Sequence, residues 1–403
     1  MKVLIVGAGI GGLTAALTLQ AVGIHVTVID AVNELRPLGV GINLLPHATG
    51  ELAKLGLYES LADVAIPTAE CVHLDRFGSE IWREPRGLAA GHTWPQYSVH
   101  RGEFQMLLLN AVCDRLGPDT VRTGMRFESA TQNADGVRVR IHDRMREAVV
   151  EMVVDAVIGA DGIHSVVRTR LRPGEGAPLW NGIRMWRGIT DARPFLSGAS
   201  MVIAGSNHAA KFVAYPISAA ARRRGRALVN WVAEVKVSDT NEQASDWNRA
   251  GRLEDVLPHY VGWQFDGLDV SELMAASATI LEYPMVDRNP LSRWTDGRIT
   301  LLGDAAHPMY PIGSNGGSQA IIDAGVLARE LAARSDPSVA LDAYETARRD
   351  TVNATVLANR DMPMDRVLRL VADRAPHGFD RIEEVLTARE IDAIGRAYQH
   401  TSR

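Results

Sequence analysis

Apolar runs separated by glycine-rich breaks open the chain and predict a strand, a turn, a helix and a second strand. The run Val3–Val6 predicts a short buried strand. A mostly apolar helix is expected from Gly11 to Val22, ended by Gly23. The run His25–Ile29 predicts the next strand. Strand, helix and strand in this order predict one unit of a parallel sheet.

Two further buried-strand patterns occur far along the chain, at Val153–Gly159 and Ile299–Leu302. The parallel sheet is therefore expected to assemble from separate segments. Between them the pattern changes to short alternating runs, which predict an inserted and mostly antiparallel sheet. The strands expected there are Arg184–Ile189, Ser200–Ala204, Lys211–Ile217, Ala227–Glu234 and Thr279–Tyr283.

We expect an α/β fold with a discontinuous Rossmann-like nucleotide-binding domain. Its predicted segments are 1–72, 98–178 and 281–360, and a β-sheet substrate domain takes 73–97 and 179–280. A helical segment is expected over 361–403. Other predicted elements are a helical stretch over Pro46–Leu61 interrupted by Gly56, two strands within Cys71–Trp82, and helices over Arg101–Leu116 and Ser318–Ala333.

Composition narrows the function classes. The chain has 403 residues, 46% hydrophobic and 23% charged, with a net charge of −5. This balance gives no reason to expect nucleic acid or an anionic membrane as partner. Cys71 and Cys113 are the only cysteines, which fits a reducing cytosol, and no metal-ligand spacing is present. Residues 3–29 are uncharged enough to suggest a membrane span or signal peptide, but their glycines argue against both.

The first motif with chemical meaning is a G-x-G-x-x-G turn formed by Gly7, Gly9 and Gly12. These glycines suit a tight turn, close approach of the backbone to a pyrophosphate, and close packing of helix on strand. The following helix directs its N-terminus at the phosphates. Asp30 ends the second strand, where an acidic residue accepts a ribose hydroxyl. The sequence thus predicts a dinucleotide site.

Two further motifs follow buried strands. In the second, Asp161 and Gly162 stand between a strand and a helix; alone, Asp161 could simply cap that helix. In the third, Gly303 and Asp304 lie at the carboxyl end of a strand, where open α/β sheets bind ligands. Gly313, Gly316 and Gly317 then precede a long helix, and such a helix start suits a partly negative group.

In order and spacing, the three motifs resemble those of the class A flavoprotein monooxygenases, the aromatic hydroxylases of the 4-hydroxybenzoate and salicylate hydroxylase type. The resemblance covers nearly the whole chain. It implies that the first motif binds the ADP half of FAD, that Asp161 contacts the cofactors and that Asp304 holds the ribityl chain. Arg101 matches an arginine that contacts FAD, although a surface arginine at a helix start is the alternative. The full set of implied FAD-binding residues is Gly7, Gly9, Gly11, Gly12, Asp30, Val40, Gly41, Arg101, Asp161, Asp304, Pro311, Gly313, Gly316 and Gly317.

A closer resemblance is to the phenazine monooxygenase branch, which converts a methylated phenazine carboxylate to pyocyanin by hydroxylation with loss of the carboxylate. It rests on the stretches RPLGVGIN (36–43), PQYSVHRGE (95–103), GADGIHSVVR (159–168), MWRGIT (185–190), AYPIS (214–218), VNWV (229–232), DWNRAGRLEDVLP (246–258), YPMVDRNPL (283–291) and GRITLLGDAAHPMYPIGSNGGSQAI (297–321). The loop ending at Gln319 is nearer to salicylate hydroxylase, and the region after Asp361 has no match. Salicylate-type, other N-heteroaromatic and polyketide substrates therefore stay open.

Aromatic and apolar side chains are expected to enclose a planar substrate beside the flavin. The candidates are Ile42, Trp186, Tyr215, Tyr283, Tyr310 and Pro311. For Trp186, Tyr215 and Tyr283, ordinary packing in the sheet is the alternative. His307 could move a proton, hold the flavin loop or be a satisfied strand-end histidine. No residue is singled out as an essential acid or base.

The resemblance implies a single-component enzyme with bound FAD that consumes NADH or NADPH and O₂ and hydroxylates through a flavin C4a-hydroperoxide. No second G-x-G-x-x-G is present, so the nicotinamide cofactor is expected to dock transiently. A cytoplasmic monomer or homodimer is expected.

A halogenase would need a W-x-W-x-I-P stretch and a catalytic lysine. A dehydrogenase would leave the second and third motifs unexplained, and a non-catalytic FAD-binding protein stays open.

Overall fold

A computed structural model describes residues 1–237 and 249–393 of the chain. The predicted parallel sheet has five strands. In spatial order they are Ile299–Leu301, Ala156–Gly159, Lys2–Val6, His25–Ile29 and Val121–Arg122. All four pairings are parallel, with Val3 opposite both Ala156 and Val26. Leu4 and Ile5 are fully buried, as expected for a central strand between two covered layers.

Helices pack closely against this sheet. Thr18 of the first helix donates its hydroxyl to the Ala324 carbonyl at 3.1 Å, which joins two helices of the layer. The α-helices are Ile10–Ala21, Pro46–Lys54, Tyr58–Val64, Arg101–Leu116, Val166–Leu171, Ala219–Arg223, Leu253–Val256, Val270–Ala275, Asn315–Ala333, Pro337–Asp361 and Pro363–Arg374. Short 3₁₀ helices are Gly87–Ala90, Pro118–Thr120, Leu257–His259, Gly303–Ala305 and Ile382–Glu384.

The inserted sheet is larger than the alternating runs suggested. In spatial order its eight strands are Arg249–Ala250, Ile280–Asp287, Leu179–Ala192, Ala227–Lys236, Ala210–Pro216, Ser200–Gly205, Glu70–Leu74 and Glu80–Pro85. Every pairing is antiparallel except that of Ser200–Gly205 with Glu70–Leu74, which is parallel.

The expected boundaries at 72/73 and 280/281 therefore fall inside or at the end of strands of this sheet. Glu70–Leu74 and Ile280–Asp287 both lie wholly within it. Hydrogen bonds to distant strands, not local composition, decide which sheet such a segment joins.

The two faces of the eight-stranded sheet bury different clusters. Along Ala227–Lys236, Val229 and Trp231 pack with Val256 and Tyr260 on one face, which we call the outer face. Val232 points the other way and packs with Tyr310 on what we call the inner face. This alternation follows from the two-residue period of a strand.

Smaller elements complete the fold. Antiparallel sheets are formed by Met125–Asn133, Gly136–Asp143 and Ala148–Val154; by Gly41–Leu44, Gln96–His100 and Ile66–Thr68; and by Gln264–Phe265 with Leu268–Asp269. The helix Pro363–Arg374 packs Leu368 and Val371 with Ile81. Two parts of the sequence predictions lie outside the described residues. They are 246–248, the start of the stretch DWNRAGRLEDVLP, and 394–403, the last part of the expected C-terminal helical segment.

The helix expected over Pro46–Leu61 is two helices, broken at Gly56, whose φ of +69° is unsuited to a continuing helix. Within the described residues, no helix is long and apolar enough to cross a membrane. Over the same ranges, no group of three or more His, Cys, Asp or Glu side chains is placed to hold a metal.

Candidate active site

The glycine turn has the geometry its spacing predicts. Gly7 has a φ of +108°, and a Cβ there would lie 2.4 Å from the Ala160 carbonyl oxygen. A Cβ on Gly12 would lie 1.9 Å from the Gly7 oxygen, whereas a Cβ on Gly9 would meet no protein atom within 4 Å. Gly7 and Gly12 are therefore required by the turn itself. Gly9 keeps an open backbone surface, as close approach of a pyrophosphate requires.

Asp30 braces this turn from the neighbouring strand. Its Oδ2 accepts a hydrogen bond from the Ala8 N–H at 2.8 Å, and its Oδ1 accepts one from the Val32 N–H at 2.9 Å. Each carboxylate oxygen can accept a second hydrogen bond. The half-exposed side chain of Asp30 can therefore accept a ribose hydroxyl as well, and this contact stays a prediction.

Asp161 caps the helix Val166–Leu171. Its Oδ1 accepts from the Ser165 hydroxyl at 2.5 Å, and its Oδ2 accepts from the Val166 N–H at 2.7 Å. Burial raises the pKa of the Asp161 carboxyl, against the lowering effect of these hydrogen bonds. The capping role offered as the alternative is therefore present, and a cofactor contact by Asp161 stays a prediction.

Arg168 joins the second motif to the third, which the sequence analysis did not foresee. Its guanidinium is 1% exposed and donates to both carboxylate oxygens of Glu175, at 2.5 and 2.7 Å. It also donates to the carbonyls of Ala305 and Ala306, at 3.1 and 2.8 Å. The only sequence signal was a basic residue one turn into a helix that follows a buried strand.

Asp304 lies where the resemblance requires, just after the strand Ile299–Leu301. Its carboxylate accepts no hydrogen bond from the described residues. Its Oδ1 is 3.7 Å from the Cβ position of Gly316. The side chain is accessible to solvent but surrounded by protein on most sides. This desolvation raises its pKa, while His307 and Arg101 lower it. Asp304 is thus free to bind a hydroxyl-bearing ligand beside Arg101.

His307 is buried behind this turn and faces a carboxylate. Its Nε2 lies 2.6 Å from Asp323 Oδ2, and Arg348 Nε donates to the other oxygen of Asp323 at 2.7 Å. Burial raises the pKa of Asp323, but His307 and Arg348 outweigh it and the net pKa is lowered. This contact joins His307 to the helix Asn315–Ala333, and the imidazole ring is almost inaccessible to solvent. A role of His307 in holding the flavin loop stays a prediction.

The glycine-rich loop ends in an open helix start. Gly313 and Ser314 have φ values of +68° and +60°, and the helix begins at Asn315. A Cβ on Gly317 would meet nothing within 4 Å. The first N–H groups of this helix are thus accessible and can stabilise a partly negative ligand group.

The pocket candidates separate onto different surfaces. Tyr283 and Tyr310 share the inner face of the sheet with Met185. Trp186 is 2% exposed and packs on the outer face with Trp231. Its environment is that of the alternative, ordinary packing in the sheet. Consecutive strand residues point to opposite faces, so Met185 and Arg187 occupy the inner face where Trp186 cannot.

Ile42 and Pro311 do not belong to the inner-face cluster of Met185, Tyr283 and Tyr310. Ile42 is half-buried and packs partly against the main hydrophobic core, while Pro311 is exposed in the loop before the long helix. The roles of both as substrate-lining residues stay predictions.

Three inner-face side chains hold the peptide at Gly41. Arg187 Nη2 and the Tyr215 hydroxyl donate to the Gly41 carbonyl, at 2.8 and 3.0 Å. Asn230 Oδ1 accepts from the Gly41 N–H at 2.7 Å. A Cβ on Gly41 would lie 2.7 Å from Asn230, so only glycine fits. No role was predicted for Arg187 or Asn230. Their polarity on an otherwise apolar face of the sheet is the sequence signal that could have indicated one.

The fold and the site define a class of protein. The glycine cradle, the free Asp304 carboxylate and the open start of Asn315–Ala333 fit FAD. The family model described as FAD binding domain matches residues 1–359, and the chain belongs to this family. It is an FAD-dependent aromatic monooxygenase of the class that its motifs resembled.

The chain is also similar to individual proteins of known activity or structure. The chain is 51% identical over 376 residues to phenazine 1,6-dicarboxylic acid hydroxylase from Lysobacter antibioticus, covering 92% of each chain. It is 32% identical over 352 residues to 3-hydroxybenzoate 6-hydroxylase 1 from Aquipseudomonas alcaligenes, covering 86% of this chain and 84% of the other. The structure of the Klebsiella pneumoniae protein HpxO with FAD and uric acid aligns with a TM-score of 0.75 at 25% identity, covering 100% of this chain and 92% of that one.

Asp304→Ala is expected to weaken FAD retention. The substitution removes the carboxylate predicted to bind the ribityl hydroxyls, and it breaks no hydrogen bond between that carboxylate and the described residues. A hydrogen bond to a charged group contributes about 1.5–3 kcal/mol, so FAD affinity should fall about 10- to 100-fold. Equilibrium dialysis of FAD against the apoprotein measures this. Unchanged FAD affinity would remove the role assigned to Asp304.

Proposed function

We propose that this monooxygenase hydroxylates a phenazine carboxylate, with release of the carboxylate as CO₂. The observation that carries the proposal is the 51% identity, over 92% of both chains, to a hydroxylase named for a phenazine dicarboxylic acid. Such identity extends through the inserted sheet, which supplies the substrate surface. The inner face supports it with aromatic side chains, Tyr283 and Tyr310, beside a cationic one, Arg187.

The reaction proposed for this site balances with NAD(P)H and O₂ as co-reactants. The aryl–carboxylate bond breaks, an aryl–hydroxyl bond forms, and the second oxygen atom leaves as water. NAD(P)H supplies two electrons. FAD, when bound, supplies the redox and oxygen-transfer chemistry.

The protein's own residues bind, orient and exclude water. Gly7 to Gly12 and Asp304 hold the cofactor, and the start of Asn315–Ala333 presents N–H groups and a positive dipole end to negative charge on it. The apolar cluster of Met185, Tyr283 and Tyr310 keeps water away from the ring that reacts.

The nicotinamide cofactor is proposed to dock transiently. The chain carries one G-x-G-x-x-G turn, and Gly7, Gly9 and Gly12 of that turn are assigned to FAD. Comparing the oxidation rates of NADH and NADPH by the FAD-loaded protein determines which cofactor it prefers.

Isotope labelling tests the proposed function. FAD-loaded protein is incubated with NADH or NADPH, labelled O₂ and phenazine-1-carboxylate or phenazine-1,6-dicarboxylate, with salicylates and hydroxyquinolines as comparison substrates. Mass spectrometry is expected to find one labelled oxygen in a phenazine product and release of CO₂. NAD(P)H oxidation without label in any phenazine product would refute the proposal, and label in a salicylate product alone would reassign the substrate.

A further inference from the structure

Two N–H groups on the inner face of the eight-stranded sheet are buried and donate to no acceptor within the described part of the chain. They are Arg187 Nε and Asn230 Nδ2. Leaving a buried donor unsatisfied is unfavourable, so buried polar groups are nearly always paired. Two such donors on side chains that both contact Gly41 indicate a position where a ligand acceptor completes the hydrogen bonding.

The orientation of Asn230 is fixed by its neighbour. The Gly41 N–H donates to the side-chain oxygen of Asn230 at 2.7 Å, and only an oxygen can accept that hydrogen. A flipped amide would place two donors face to face. The Asn230 side chain is 0% exposed. Its Nδ2 group is therefore a donor held in one direction.

Arg187 lies next to Asn230 on the same face. In the pairing of their strands, Arg187 stands opposite Val232 and Asn230 stands opposite Ile189, one step further along that face. Arg187 Nη2 and Asn230 Oδ1 hold the two sides of the same residue, Gly41. The two free donors thus belong to one small cluster that the sheet and the Gly41 peptide hold rigid.

The surroundings of this cluster favour negative charge. Burial raises the pKa of the Tyr283 hydroxyl, while Arg187 and Arg101 both lower it, which places two guanidinium groups within electrostatic range of one inner-face tyrosine. Two N–H donors, one from a guanidinium and one from a neighbouring amide, suit the two oxygens of a carboxylate.

We propose that Arg187 Nε and Asn230 Nδ2 together bind the ring carboxylate of the aromatic substrate and so select acids over neutral analogues. The proposal rests on the proposed function, because it takes a carboxylate-bearing aromatic as the ligand. Arg187 and Asn230 are then specificity-determining residues, and their hold on Gly41 positions the cofactor-side loop against the same substrate.

Asn230→Asp tests the assignment with almost no change of shape. The new carboxylate still accepts from the Gly41 N–H, but its second oxygen replaces the Nδ2 donor and repels a ligand carboxylate. The FAD-loaded protein is titrated calorimetrically with phenazine-1-carboxylate and with phenazine-1-carboxamide. Relative to wild type, the ratio of the carboxylate Kd to the carboxamide Kd should rise about 10- to 100-fold, since a hydrogen bond to a charged group is lost.

Asn133→Asp is the matched control. Asn133 lies in an exposed turn, where its Oδ1 accepts from the N–H groups of Asp135 and Gly136, and Asp can accept both. This variant adds the same charge far from the site and should leave the Kd ratio unchanged. Arg187→Lys keeps the positive charge but removes the Nε donor, and it should raise the same ratio less than Asn230→Asp does.

Several results would overturn the assignment. One is an unchanged Kd ratio in Asn230→Asp protein whose FAD content and circular dichroism match wild type. Another is weaker FAD binding with an unchanged Kd ratio, which would indicate that the two donors bind FAD and not the substrate. Wild-type protein that binds neither ligand would also overturn it. Because these titrations need no turnover, a failed labelling experiment refutes the proposed function without deciding the Kd ratio.

Discussion

Gly12→Ala is expected to abolish FAD retention and to destabilise the chain. The added Cβ would lie 1.9 Å from the Gly7 carbonyl oxygen, which is backbone and cannot move aside without opening the turn. Overpacking of this kind typically costs about 1–3 kcal/mol or more of folding free energy. Each 1.4 kcal/mol of lost binding energy weakens affinity about tenfold. FAD per protein chain after purification, and the urea midpoint of unfolding, measure the two effects.

Gly9→Ala separates the ligand from the turn. Gly9 has φ −75° and ψ −176°, which alanine adopts without strain, and its Cβ would meet no protein atom within 4 Å. The variant should keep the stability of the apoprotein within about 0.5 kcal/mol. It should nevertheless bind FAD more weakly, because the methyl group occupies the surface that faces the pyrophosphate. FAD affinity equal to wild type in both variants would contradict the assignment of this turn to the cofactor.

Local patterns predicted the part of the fold that holds the cofactor. The run Val3–Val6 is apolar throughout, and Val26, Val28 and Ile29 are buried in the next strand, because both faces of a parallel sheet are covered. Both strands are therefore visible in the sequence without knowledge of any partner. Glycine spacing likewise reports a backbone constraint that is complete within a few residues. The expected helix over Gly11–Val22 is confirmed at Ile10–Ala21 for the same reason.

Features that depend on distant partners were not predictable in the same way. The face to which Trp186 points is set by the register of Leu179–Ala192 against two other strands, and an aromatic residue in a strand suits either face. The same holds for Arg187 and Asn230, which meet at Gly41 from segments far apart in the chain. Their role depends on contacts that no sequence window contains.

Arg168 shows how such a distant contact carries stability as well as geometry. Its guanidinium makes five hydrogen bonds, two to Glu175 and one each to the carbonyls of Ala305, Ala306 and Asn289. The planar fork of an arginine can satisfy acceptors on several sides at once, which a lysine cannot. The second motif and the third are thereby held together across the edge of the parallel sheet.

Arg168→Met is therefore expected to lower the free energy of unfolding by about 1–3 kcal/mol, the usual cost of leaving buried acceptors without their donor. Glu175 lies at the surface, so water can hydrate its carboxylate once the guanidinium is removed. The change leaves Glu175 with the more distant Arg288, at 3.5 Å, and leaves the Ala305 and Ala306 carbonyls without their donor. FAD retention should fall with stability, because Asp304 directly precedes the released carbonyls. Urea unfolding of the FAD-free protein measures the stability change, and comparison with the FAD-loaded protein measures the change in FAD binding.

Arg170→Met is the matched control, since Arg170 lies on the same short helix but is exposed. Its unfolding free energy should stay within about 0.5 kcal/mol of wild type. Arg168→Lys should fall between the two, because it keeps a charge for Glu175 but loses the fork. If Arg168→Met were as stable as Arg170→Met, the buried guanidinium would not be what joins the two motifs. If it lost stability but kept full FAD affinity, the position of Asp304 would not depend on it.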